Sequence, residues 1–245
     1  MTEDKKPELT PVFVNLESAL KLWWKNLKKF IFVYLWGLFF ALISLAIVAV
    51  FVGLDYWLGR GNNTPLHILT IAVAIVGFLF ALYFSIRSYM GMFLLVKKNY
   101  EGEEFAIFQE TGQYFWPYLG LALLTAIFVL LWCLLLIIPG IIYGVFYSLA
   151  VYVFFFEDKR GLAAIRRSVR LIEGYWWPMF GRYVVIGLLS WLVMLVVSAP
   201  LAGSDIHSAF YQIWNMVVQI VSFLIGPIVL IYTYNIYQDL VKIKK

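Results

Sequence analysis

Side chains able to do chemistry are few in this sequence, and they are scattered. The two histidines, His67 and His207, fall beside loops between apolar runs. A zinc-type site needs three or four ligands converging on one point, and only Asp205 stands near His207. Both read as solvated loop residues, so no metal is expected. Asp55 closes the first apolar run and reads as an interface charge. Ser168 has no neighbouring histidine to take its proton, so it reads as a packing or capping hydroxyl rather than a nucleophile. No Gly-rich loop ending in Lys-Ser/Thr, no Gly-x-Gly-x-x-Gly and no His-Glu-x-x-His occurs. The chain therefore reads as a non-enzyme with no catalytic residue and no cofactor.

Three sets of polar residues nevertheless stand in unusual company. Arg166, Arg167 and Arg170 share one face of a stretch whose opposite stripe is Leu162, Ile165, Val169 and Ile172. Such a face suits anionic lipid headgroups or phosphate, and ordinary cytoplasmic-side charge is the plainer alternative. Gln212, Asn215, Gln219 and Ser222 recur at three- and four-residue spacing within an apolar run, so they lie on one helix face. Polar groups are costly in hydrocarbon, so this face is expected to be buried in a helix bundle, as packing contacts or as a substrate path. Arg87 is the only charge in the second apolar run. It either reaches back toward water or faces the stripe at Gln219 and Ser222.

The elements that carry these groups are membrane spans. Of 245 residues, 63% are hydrophobic and only 13% charged, with mean hydropathy +0.87. A water-soluble domain carries about 25% charged residues, and a surface this apolar has no place in water. Six runs are long enough to cross a bilayer: 30–54, 66–96, 115–138, 141–156, 178–198 and 210–237. Pro139 and Gly140 are expected to break the chain into a tight hairpin between the third and fourth runs. Gly226-Pro227 is expected to kink the sixth. Amphipathic stretches at 13–27, 103–111 and 161–173 read as surface helices. The fold class is all-α: a polytopic membrane protein with six transmembrane helices and three cytoplasmic-side amphipathic helices.

The segment from Gln113 to Gly120 (QYFWPYLG) reappears without gaps as Gly174 to Gly181 (GYWWPMFG). Each reads as a corner, where Gly112 or Gly174 ends a surface helix and Pro117 or Pro178 starts a span. A looser copy near Asn26 completes a threefold internal repeat. The expected organisation within one membrane domain is a disordered cytoplasmic tail over 1–11 and repeat units at 12–98, 99–158 and 159–245. Of the 19 Lys and Arg residues, only Arg60 falls in an outer loop. That asymmetry puts both ends in the cytoplasm. The single cysteine, Cys133, excludes an intramolecular disulfide. The net charge of +5 flanks apolar runs, which is the pattern of membrane topology rather than of nucleic-acid binding.

Around Ile138, Pro139 and Gly140, and again at Arg167, Ser168, Leu171, Gly174, Trp176 and Trp177, the chain resembles a known family. This is the integral membrane domain that some bacteria fuse to glycerophosphoryl diester phosphodiesterases. The resemblance extends over about residues 100–185. It implies a six-helix protein of the bacterial inner membrane. It does not imply phosphodiesterase activity, which resides in a separate soluble domain whose metal site has no counterpart here. The expected function is that of a scaffold, anchor or regulator in lipid or envelope processes, with membrane lipids and their anionic headgroups as partners. A small-solute or lipid transporter is the alternative.

Overall fold

A computed structural model describes residues 9–58 and 64–244. Arg60 lies outside these residues. The described residues are helical, with no strand among them: α1 (Val12–Leu58), α2 (Thr64–Lys97), α3 (Glu104–Leu135), α4 (Ile137–Tyr147), α5 (Ala150–Phe156), α6 (Leu162–Ile172), α7 (Trp176–Ser198) and α8 (Ala209–Ile243). Six helical segments, with α4 and α5 counted together, are long and apolar enough to cross a membrane. Large apolar side chains such as Leu134, Ile138 and Phe78 stand 80%, 71% and 63% exposed. Surface of that kind belongs in hydrocarbon, where helices keep their backbone hydrogen bonds internal. The chain is an integral membrane protein.

Two compact units appear. One comprises Met1–Lys25 with Pro117–Lys245, the other Asn26–Trp116. In the second unit, α2 packs on α1 and on the start of α3 through aromatic rings. Phe40 stacks on Phe84 at 4.9 Å and on Phe108 at 5.9 Å, and Trp36 meets Phe105 at 4.4 Å. Gly91 lets Val33 approach: a Cβ there would lie 2.6 Å from Val33 Cγ1. The turn after α2 places Asn99 and Tyr100 at positive φ, and Lys29 Nζ donates to the Tyr100 carbonyl at 2.5 Å. Lys98 pairs with Glu110 across the same turn.

The first unit is centred on α5, α6 and the last turns of α8. Leu149, Val153, Phe155, Ala164, Leu171, Ile172, Ile231 and Leu240 are all but inaccessible. Residues 9–25 join this core. Asn15 Nδ2 donates to the Tyr232 carbonyl at 3.4 Å, and Asn235 Nδ2 donates to Ser18 Oγ at 2.9 Å.

Several expectations need correction. Residues 1–8 of the expected disordered tail lie outside the described residues, but 9–11 are held in place. Thr10 N donates to Asp239 Oδ2 at 3.2 Å, Arg182 Nη2 donates to the Thr10 carbonyl at 2.8 Å, and Leu9 is buried. The amphipathic stretches at 13–27 and 103–111 are the opening turns of α1 and α3 rather than separate helices. Asn26 neither removes a donor nor favours positive φ strongly enough to stop a helix. Gly112 stays helical, and Pro117 is accommodated inside α3. Only the third corner forms as expected. Gly174 adopts φ 82° after α6, and Pro178 sits in the first turn of α7, where no amide hydrogen is needed.

The hairpin before α4 also differs. Its pivot is Leu136, with φ −163° and ψ 143°, while Pro139 and Gly140 lie inside the first turns of α4. Proline is harmless there because the first amides of a helix have no intrahelical partner. Gly140 serves close approach: a Cβ on it would lie 2.2 Å from Cys133 Sγ and 3.1 Å from Cys133 Cα. Trp132 and Tyr143 stack at 4.0 Å beside this contact. The fourth span is itself interrupted at Ser148 and Leu149, between α4 and α5. α8 runs on through Gly226-Pro227, as a kinked helix can, with Pro227 buried inside it.

Candidate functional site

The site forms on α6, and the break between α4 and α5 explains how α6 is held. An interrupted helix leaves carbonyls without intrahelical donors, and in a membrane protein other groups must satisfy them. Ser148 Oγ turns back onto the Val145 carbonyl at 2.7 Å. Ser168 Oγ, from α6, donates to the Phe146 carbonyl at 2.6 Å. Tyr183, from α7, donates its hydroxyl to Ser148 Oγ at 2.8 Å. Ser168 is thus fully buried and bound to backbone, as a packing hydroxyl.

Glu157, just past α5, is the second fastening. Its Oε1 and Oε2 accept from Arg167 Nε at 3.0 and 3.1 Å, Lys159 Nζ reaches Oε2 at 2.6 Å, and Tyr237 donates to Oε1 at 3.2 Å. Partial burial presses the Glu157 pKa upward, but the hydrogen bonds and charges of Lys159 and Arg167 outweigh it and hold the carboxyl below its ordinary value. A carboxyl lowered in this way stabilises the fold fully above its unfolded-state value, near pH 4.5, and that contribution fades as pH falls through the folded value. Glu157→Gln is therefore expected to melt below wild type at neutral pH. The gap should close as pH falls below about 4.5 and on through the lower value that the folded carboxyl holds. Differential scanning fluorimetry in detergent reads this, and a gap independent of pH would contradict it.

With Arg167 committed to Glu157, the other two arginines stand apart. Arg166 and Arg170 are exposed and make no ion pair or hydrogen bond through their side chains among the described residues. They are one turn apart, and Arg170 lies in the last turn of α6, where the helix dipole favours a cation. Together with Phe128, Tyr147, Leu162, Ile165 and Val169 they line an open groove of about 690 Å³. Like charges at this spacing repel. A bound anion would relieve that repulsion, and guanidinium groups match phosphate in a two-pronged fashion. The rest of the lining is aromatic and aliphatic. The groove is therefore amphiphilic, with cations at one border and room for hydrocarbon beside them.

Arg87 lies in the other unit and gives its donors to Tyr83 and to the start of α3. Nε donates to Thr111 Oγ1 at 2.8 Å, and Nη2 donates to the carbonyls of Phe108 at 2.7 Å and Gln109 at 3.1 Å. Nη1 reaches Tyr83 OH at 3.4 Å. The guanidinium carbon sits 4.6 Å from the Phe108 ring centre, a cation–π contact. Gly112 lies beside it, and a Cβ there would meet Nη2 at 3.6 Å, an ordinary contact. Arg87 is a clamp between α2 and α3.

The polar stripe also departs from expectation. Gln212, Gln219 and Ser222 are exposed and Asn215 is half-buried. The apolar sides of α8 are drawn toward α7 and α6, which turns the amides outward. His67 Nδ1 lies 2.7 Å from Asp55 Oδ2. Among the described residues no three His, Cys, Asp or Glu side chains gather as metal ligands would. Glu157 belongs to no sequence motif that announces its role. Its position ten residues before Arg167 was the available signal. Compared with protein-family models, curated proteins and solved structures, the chain matches none.

Proposed function

We propose that this membrane protein is a non-enzymatic scaffold, anchor or regulator in lipid or envelope processes, and that its α6 groove holds an anionic phospholipid. The observation that carries the reading is the pair Arg166 and Arg170, unpartnered beside an apolar groove while their neighbour Arg167 is neutralised by Glu157. The distribution of Lys and Arg supports a cytoplasmic position for both ends and for α6. The resemblance at Ile138–Gly140 and Arg167–Trp177 supports a bacterial inner membrane. The transporter alternative rests on the internal repeat and on the polar stripe, of which Gln212, Gln219 and Ser222 are exposed.

The test is binding of purified protein to nanodiscs of phosphatidylcholine with and without phosphatidylglycerol, or native mass spectrometry of the retained lipid. Wild type is expected to retain the anionic lipid. Arg166→Gln with Arg170→Gln should weaken retention about thirtyfold, at roughly 1 kcal/mol per arginine near a membrane surface. Arg167→Gln should lower thermal stability instead. Equal retention of neutral and anionic lipid by wild type would sink the reading, as would turnover of any lipid by the pure protein.

A further inference from the structure

Gln212, Asn215 and Gln219 share one face of α8, and among the described residues their side chains make no hydrogen bond. Ser222 continues the face, its hydroxyl returned to the Val218 carbonyl at 2.9 Å and lying 3.4 Å from Met194 Sδ of α7. Gly226 closes it, with nothing within 4 Å of where a Cβ would stand. The surrounding surface is lipid-like: Ile213, Met216 and Ile220 are 63%, 63% and 58% exposed. Gln219 lies ten residues into α8, about 15 Å along the axis, beyond the reach of water at the helix start. An unpaired carboxamide at that depth is costly, so the face must be covered.

We infer that a second copy of this chain covers it, α8 against α8. A carboxamide both donates and accepts, so the same residue on a two-fold-related helix supplies what each one lacks. No Asp, Glu, Lys or Arg occurs between Ala209 and Gln238, so neither a basic nor an acidic partner is indicated. Ser222 and Gly226, four residues apart and both small, let two backbones come close, as small residues do at transmembrane helix contacts. Lipid headgroups do not serve: one could reach Gln212 near the helix start but not Gln219. The inference is independent of the α6 groove.

Single cysteines in a Cys133→Ser background test it in native membranes. Under mild oxidant, Gln219→Cys is expected to give covalent dimer at least about tenfold more readily than Ile220→Cys, which points about 100° away. In detergent, Gln212→Leu with Gln219→Leu should raise the dimer dissociation constant roughly ten- to fiftyfold, since each lost side chain removes its contact twice in a symmetric pair. Thermal unfolding of the variant monomer should match wild type, because no contact within the chain is lost. A wild type that sediments as monomer at all concentrations, equal cross-linking at both positions, or a double-leucine variant that dimerises like wild type would each overturn the inference.

Discussion

Arg87→Leu should destabilise the protein by about 3 kcal/mol, the scale of losing charge-assisted hydrogen bonds at a partly buried site. Arg87 commits all but one of its five N–H donors: one to Thr111, two to the carbonyls of Phe108 and Gln109, one to Tyr83. The gain from removing a charge near hydrocarbon works in the other direction. It is largest for an unsolvated charge at the bilayer centre, and Arg87 is already hydrogen-bonded. Arg87→Lys should recover only part of the loss, because one ammonium cannot span Thr111 Oγ1 and two carbonyls as a planar fork does. Gly112→Leu should fail in the same way, by filling the space the guanidinium occupies. Thermal unfolding in detergent measures all three. An Arg87→Leu protein as stable as wild type would show that Thr111 and the α3 carbonyls gain nothing from it.

The second large effect is expected at Gly140. A methyl group there would stand 2.2 Å from Cys133 Sγ and 3.1 Å from its Cα, so α3 and α4 must separate. Overpacking of this kind costs about 1–3 kcal/mol, against a helix-propensity gain of nearly 1 kcal/mol for alanine over glycine. Gly140→Ala should therefore be modestly destabilising and Gly140→Val clearly so. Separating the helices also disturbs the Trp132–Tyr143 stack, which tryptophan fluorescence can follow. Cys133→Ala should restore part of the stability of Gly140→Ala, because it removes the sulfur but not the close Cα. Additive losses in the double variant would mean that the two residues do not meet as described.

How much of this was legible in the sequence can be judged residue by residue. Long apolar runs state their own fate, because only a helix satisfies its backbone within lipid. Hence the six spans and the end of α6 at Gly174 were readable. The corner at Gly112 was not. The same Gly, aromatics and Pro occur there, but glycine permits a helix stop without enforcing one, and Gly112 stays helical. Likewise Pro139-Gly140 spelled a turn, while the reversal falls at Leu136, a residue with no turn signature. The polar stripe was correctly placed on one face. Its direction was not readable, since periodicity fixes which residues face alike and not which way they face. Arg167 could not be told from Arg166 and Arg170 without Glu157, a contact across a loop.

The hydrogen bonds from Asn15 to Tyr232, from Thr10 to Asp239 and from Asn235 to Ser18 bear on the order in which the protein assembles. They join residues more than 200 positions apart. During synthesis, residues 26–116 emerge with all their own partners and can settle early. Residues 9–25 emerge before these and must wait, because the groups that hold them arrive with the final turns of α8. Closing so long a loop late leaves this amphipathic stretch open, with Asn15 and Ala19 uncovered, through most of translation. A ribosome stalled before Tyr232 would therefore carry a nascent chain whose early helix is open to proteases, and release of the segment from Tyr232 to Asp239 would be the event that protects it.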